Sequence, residues 1–322
     1  MDEQELKRNR GAVSVVLVDK NVSVATTLCG GFRVLGYGDV KLMRDVEALE
    51  AALHGPGFDL IIGDADIQDG ALLNLVRRLR NGDIGRNPFT AVIVTTWNKD
   101  WTTVRSAIDA GVDDILVNPI SPGRLSERIQ TIVERRKPFI VTADYTGPER
   151  RRDPNRVSTI PAFFPPNSLA EKERGRFVDE ADLKWRIDHS AREIAAEKLR
   201  RSVFQLAFLQ GLADIAVNRD NAAASATGYL GQLRAQAKST MELVRATGQP
   251  ELGVHVSELT RVVAEMIKTA PMQTGLVAAR REVDKLLSKI FTEETVTATR
   301  TDVNLAIRAY EQRRQAQLAA AD

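Results

Sequence analysis

Residues 58–70 read FDLIIGDADIQDG. The apolar run Leu60-Ile61-Ile62 stops abruptly at Gly63 and the carboxylate Asp64, with Asp66, Asp69 and Gly70 close behind. A short apolar run bounded by turn residues is the pattern of a strand buried on both faces of a parallel sheet. A carboxylate at the carboxyl end of such a strand lies where open α/β sheets place their chemistry.

The flanking sequence repeats this unit. Val13–Val18 (VSVVLV) is a β-branched strand ending in Asp19, Lys20 and Asn21, and Val24, Leu28, Phe32 and Leu35 give helical spacing before Gly36 and Gly38. Val40–Met43 is a short strand, and Asp45 is a plausible N-cap for a helix over Val46–Leu53. After Leu60–Ile62 come a helix over Ala71–Arg80, a strand at Ala91–Val94 closing on Thr95-Thr96, and a helix near Thr102–Ala110. A strand at Asp114–Val117 follows, then Asn118-Pro119 and a helix over Arg124–Glu134. Strands alternating with helices across short loops predict a five-stranded, parallel, doubly wound α/β sheet over residues 11–137.

The pattern breaks at Pro138. Six of the chain's twelve prolines lie between Pro138 and Pro166, with the basic run Arg150-Arg151-Arg152 among them, so residues 138–178 read as a linker or arm. Tyr145–Pro148 reads as a turn there, and Phe163-Phe164-Pro165-Pro166 as an apolar patch able to dock the arm. Residues 179–320 carry little strand signal. Helices are expected over Asp182–Ala216, Ala223–Thr247, Leu252–Ala270, Met272–Phe291 and Thr301–Ala319, broken at 218–221, Pro250, Pro271 and the threonine-rich 292–299. Each has an apolar stripe, so an all-α bundle is expected.

Composition sets the outer limits. A chain of 322 residues fits about two domains at roughly 150 residues each. The net charge of +2 gives no reason to expect DNA as a partner. A single cysteine, Cys29, excludes an internal disulfide and suits a reducing compartment. The amino terminus MDEQELKRNR lacks a signal peptide's apolar core, and no window reaches the roughly 18 apolar residues of a membrane span, so a cytoplasmic protein is expected.

The strand-end residues carry a resemblance. An acid after strand one, an aspartate after strand three, threonine after strand four and Asn-Pro after strand five resemble the CheY-like receiver domain of bacterial two-component response regulators. Ala110-Gly111-Val112-Asp113-Asp114 ahead of strand five adds to it. The resemblance implies that Asp64 accepts a phosphoryl group from a phosphohistidine, that Asp19 and the backbone carbonyl of Asp66 ligate Mg²⁺, and that Thr95 or Thr96 is the switch hydroxyl. It implies a sensor histidine kinase or phosphotransfer protein as partner. The first residues fit chemically: carboxylates serve as covalent nucleophiles, and Mg²⁺ takes one or two carboxylates plus waters.

The resemblance is to an atypical member. Lys20 stands where the family has its second acid, a direct Mg²⁺ ligand, and Asn118 where a lysine reaches the phosphoryl group. Ile115 replaces the aromatic switch residue, and the loop after Asp64 is about two residues short. Two readings stay open: an atypical response regulator whose Asp64 switch controls a helical partner-binding domain, with or without phosphorylation, and a non-phosphorylated pseudo-receiver that serves as adaptor or scaffold. A permanent Lys20–Asp64 ion pair would serve the second. His189 and His255, on expected helices, lack phosphotransfer flanks and read as surface or core histidines. The helices show no metal spacing, nucleophile–base pair or glycine-rich phosphate loop, so no enzyme is expected; the partner of the helical region is unnamed, and homodimerisation stays open.

Overall fold

A computed structural model of the chain describes residues 2–142, 145–150, 161–218, 223–269 and 273–319. They fall into two compact units, Met1–Ile194 and Ala195–Asp322. The expected domain edge at 178/179 therefore lies upstream of the division between the units, which falls within one continuous helix, α8 (Glu180–Asn218).

The first unit opens with a helix that the charged terminus did not announce: α1 (Glu3–Arg10), capped by the Asp2 side chain, which accepts from the Glu5 backbone N–H. Strands β1 (Ser14–Val18), β2 (Asp39–Met43), β3 (Leu60–Asp64), β4 (Ala91–Thr96) and β5 (Asp114–Val117) follow. They pair in the order β2-β1-β3-β4-β5, and every pairing is parallel. Helices α2 (Val22–Val34), α3 (Val46–Leu53), α4 (Ala71–Asn81), α5 (Trp101–Ala110) and α6 (Pro122–Arg135) alternate with them. Asp45 does cap α3, accepting from the Ala48 N–H at 2.7 Å.

Two cores clothe the sheet. Val16, Val18, Ile61, Val92 and Val94 face the apolar stripes of α3, α4 and α5. Val15, Leu17, Leu60, Ile62 and Ile93 face α2 and α6. With both faces covered, polar residues are confined to the strand ends.

The arm is more ordered than its proline content suggests. β6 (Phe139–Val141) pairs antiparallel with β7 (Thr146–Pro148) and β8 (Ala162–Phe163) in a small sheet ordered β7-β6-β8. The expected turn at Tyr145–Pro148 is thus largely strand. Side-chain anchoring offsets the lost periodicity: Phe139 and Phe163 pack with Phe89, Val141, Ile187 and Ile194. Arg150 donates to the carbonyls of Val112 and Asp113. Arg151 and Arg152 lie outside the described residues. Helix α7 (Ser168–Glu173) docks on α6 and α1; the buried Glu173 accepts from Arg10 Nε at 3.3 Å and from the Tyr37 hydroxyl. Glu173 and Arg10 also hold the Tyr37 phenol, whose ionisation burial pushes far up.

The second unit is a bundle of the latter part of α8 with α9 (Ala223–Thr247), α10 (Pro250–Thr269), α11 (Gln273–Ile290) and α12 (Glu293–Ala319). Leu206, Leu230, Leu233, Val256, Leu259 and Leu286 are wholly buried in its core. The breaks expected at 218–221 and Pro271 coincide with residues outside the description, Asn218 excepted. The break expected over 292–299 is shorter than that: only Phe291 and Thr292 separate α11 from α12, which begins at Glu293. Thr297 and Thr301 return their hydroxyls to the carbonyls four residues back, so their polar groups are satisfied within α12.

Candidate functional site

The carboxyl ends of β1, β3, β4 and β5 gather Asp19, Asp64, Thr95 and Asn118 along one sheet edge. Parallel register decides which side chains share a face. Asp64 pairs with Thr95, and the Ala65 N–H donates to the Thr95 carbonyl at 2.8 Å, locking that alignment just past the strand end. Alternation then puts Asp64 and Thr95 on the α2/α6 face with Leu17 and Ile62, and Thr96 on the opposite face with Val94. The register thus sets the two threonines on opposite faces of the sheet, with Thr95 on that of Asp64.

Their hydroxyls differ as well. Thr96 is buried and engaged: it donates to an Asp66 carboxylate oxygen at 2.9 Å and accepts from the Asn98 N–H at 3.0 Å. Thr95 is equally buried, yet its Oγ1 meets no hydrogen-bond partner among the described residues. Buried hydroxyls are generally satisfied, so this orphan calls for a partner that the described residues do not provide.

The acids crowd. Asp19 is 4% exposed, its carboxylate accepting from the Asn21 N–H at 2.7 Å. Burial pushes its carboxyl above the ordinary value, against the pull of that N–H and of Lys20. Asp64 is half-buried and accepts from the Asp66 N–H at 3.1 Å. Its carboxyl is also pushed up, first by burial, then by the negative charges of Asp19 and Asp66; the Asp66 N–H and, weakest of all, Lys20 oppose this. Lys20 is exposed, and among the described residues no ion pair joins it to Asp64. Asn118 is half-exposed, its backbone N–H bonded to the Thr96 carbonyl at 2.8 Å.

Mutually repelling, partly desolvated carboxylates suit a small divalent cation. Asp19 and Asp64 are the carboxylates that could enter a Mg²⁺ site here, with the Asp66 backbone carbonyl beside them. Among the described residues, no group of three or more His, Cys, Asp and Glu is disposed to hold a metal.

One residue of the site escaped sequence reasoning. Gln68 and Asp69 adopt left-handed backbone angles, with φ 47° and 56°, immediately before Gly70 at φ 85°. The Gln68 side chain accepts from the Val46 N–H at 2.8 Å and donates to Glu47, tying the short acidic loop to the amino end of α3. Only Gly70 hinted at such a turn; a non-glycine residue with positive φ leaves no trace in composition.

The family model of the response regulator receiver domain matches residues 15–130. This segment is a response regulator receiver domain. Curated relatives include the response regulator protein PilR of Pseudomonas aeruginosa, 32% identical over 100 residues, which are 31% of this chain and 22% of PilR. The phosphate regulon transcriptional regulatory protein PhoB of Escherichia coli is 24% identical over 127 residues, covering 39% of this chain and 54% of PhoB. The match therefore spans only part of each relative's length. Similar solved structures include the chemotaxis response regulator CheY4 of Vibrio cholerae, at 24% identity and TM-score 0.33 over 37% of this chain and 98% of that one. Another is the receiver domain of a Pseudomonas aeruginosa sensor histidine kinase, described with a magnesium ion coordinated in its active-site cleft, at 25% identity and TM-score 0.32 over 36% of this chain and 92% of that one. Response regulator receiver domains belong to two-component signalling. No helix of the described residues is long and apolar enough to cross a membrane.

Proposed function

We propose that this receiver domain accepts a phosphoryl group on Asp64 and passes its state to the helical region, which acts as a partner-binding output. The observation that carries the reading is the pairing of Asp64 with Thr95, whose buried hydroxyl has no partner of its own among the described residues. In the transfer, an Asp64 carboxylate oxygen attacks the phosphorus of a kinase phosphohistidine while the P–N bond breaks and the imidazole leaves. Asp19, Asp64 and the Asp66 carbonyl would hold Mg²⁺, which when bound neutralises charge on the transferring group. Thr95 then donates its hydroxyl to a phosphoryl oxygen. That hydrogen bond exists only in the phosphorylated state, so it biases a two-state element.

Lys20 and Asn118 shape rather than abolish the site. Lys20 lies unpaired at its rim among the described residues and lowers the Asp64 carboxyl only weakly, which favours an available Asp64 over one locked in an ion pair. In place of a lysine, Asn118 offers a neutral donor at the β5 end. The test is direct: treat the full chain with acetyl phosphate and Mg²⁺ and measure intact mass. A hydroxylamine-labile mass gain absent from Asp64→Asn supports the reading. No gain in the wild type leaves the scaffold reading in its place.

A further inference from the structure

We propose that a groove in the first unit, remote from Asp64, binds a purine nucleotide. It has a volume of about 410 Å³, within the range of small-molecule sites, and lies between the end of α6, residues 164–176 and the first turns of α8. Asp64 sits at the carboxyl edge of the sheet. α6 begins just beyond that edge and runs back, so its terminal residues Val133, Glu134 and Arg136 bring the groove to the opposite end.

Aromatic surface and positive charge converge there. Trp185 and His189, one turn apart on α8, stack with ring centroids 5.2 Å apart and planes 6° from parallel. His189 covers one face of the indole; Trp185 nonetheless remains 59% exposed, and Phe164 is 81% exposed. Rings so placed bury little of their own area, and a flat heteroaromatic ligand would recover that area by stacking.

Four arginines line the groove against two glutamates. Two of the four are committed: Arg136 to Asp113, and Arg186 to Glu171 at 2.6 and 2.9 Å and to Asp182. Arg174 places one nitrogen on the Val133 carbonyl at 2.8 Å and has further donors to give. Arg176 makes no side-chain hydrogen bond or ion pair with another described residue. Planar guanidinium forks beside stacking rings match a phosphate ester of an aromatic base. An acidic peptide would use the arginines but leave the ring platform idle.

The chain has three tryptophans, so Trp97→Phe/Trp101→Phe leaves Trp185 as the only indole reporter. The full-length variant is titrated with ATP and with GTP, and separately with adenosine, inorganic phosphate and a single-stranded oligonucleotide. Saturable quenching by the nucleotides is expected, with roughly tenfold weaker binding of adenosine and a similar loss in Arg174→Ala/Arg176→Ala. Both arginines are exposed, and Phe164→Ala provides a second variant that should weaken binding. No saturable nucleotide response overturns the proposal. So does phosphate binding as tightly as ATP, or an oligonucleotide binding more tightly than either nucleotide.

Discussion

Removing the Asp113 carboxylate should be among the most damaging single substitutions in the first unit. Its side chain is 3% exposed. It takes Arg80 Nη2 at 2.9 Å, Arg136 Nε at 2.7 Å and Nη2 at 3.0 Å, and the Val92 N–H at 2.9 Å. Burial pushes its carboxyl up, but Arg136 and Arg80 outweigh burial and hold it below the usual carboxylate range. Burial already pushes the Arg80 guanidinium down to about 10 even with Asp113 in place. Asp113→Ala leaves two guanidinium groups with little water and no counter-ion, and breaking a buried pair from one side costs about 3–5 kcal/mol. The pH dependence has a definite sign. Because the folded carboxyl is depressed, its contribution is fully present above the unfolded value of about 3.9 and is lost as pH falls through the lower folded one. The penalty of Asp113→Ala should therefore be full at neutral pH and shrink in strong acid. Urea unfolding followed by tryptophan fluorescence is the assay, since Trp97, Trp101 and Trp185 all lie in the first unit. A loss below about 1 kcal/mol at neutral pH would refute the view that Arg80 and Arg136 depend on Asp113 as their buried counter-ion.

Three further outcomes follow from the site. Thr95→Val removes an unpartnered buried hydroxyl and should leave stability unchanged or raise it by up to about 1 kcal/mol, whereas Thr96→Val strands the Asp66 carboxylate and the Asn98 N–H and should lower it by a similar amount. Chemical denaturation of the two variants gives the signs, and equal losses would contradict the face assignment. Acyl phosphate labelling should fall off in acid at a higher pH than an ordinary aspartate would show, because burial and the neighbouring acids raise the Asp64 carboxyl and the carboxylate is the nucleophile; the labelling rate against pH reads this. Gly111→Ala should destabilise by more than about 1 kcal/mol, because φ is 83° there and a Cβ would come within 2.7 Å of the Thr146 carbonyl oxygen. Thermal unfolding measures that cost, which would fall to that of the left-handed φ alone if β7 were not seated there.

The sheet was legible because its strands are β-branched runs ending in polar residues, so the periodicity of Val13–Val18 and Leu60–Ile62 had one reading. Asp64 was legible from its place after such a run. The choice between Thr95 and Thr96 was not, since it depends on register with β3, a long-range property that moves a side chain to the other face with a shift of one residue. The strands of the arm are not legible from its proline density, which measures local order, because β6, β7 and β8 are held by Phe139, Phe163 and Arg150 contacts made to distant residues. The threonine-rich 292–299 reads as a longer break than the two residues the structure has, because propensity does not register a threonine hydroxyl, such as that of Thr297, returned to the carbonyl four residues back. The depth of Asp19, and the resulting strain between acids, was likewise beyond a sequence in which Asp19 is one of many carboxylates.

The claim that Asp64 is the phosphoryl acceptor is tested most directly by locating the acyl phosphate itself. The full chain is treated with acetyl phosphate and Mg²⁺ and reduced with borohydride, which converts an aspartyl phosphate to homoserine, and its peptides are sequenced by mass spectrometry. The expected result is homoserine at position 64 within FDLIIGDADIQDG, with Asp19, Asp66 and Asp69 unchanged. Homoserine at Asp66 or Asp69 instead, or an unmodified peptide from fully folded protein, would contradict the account.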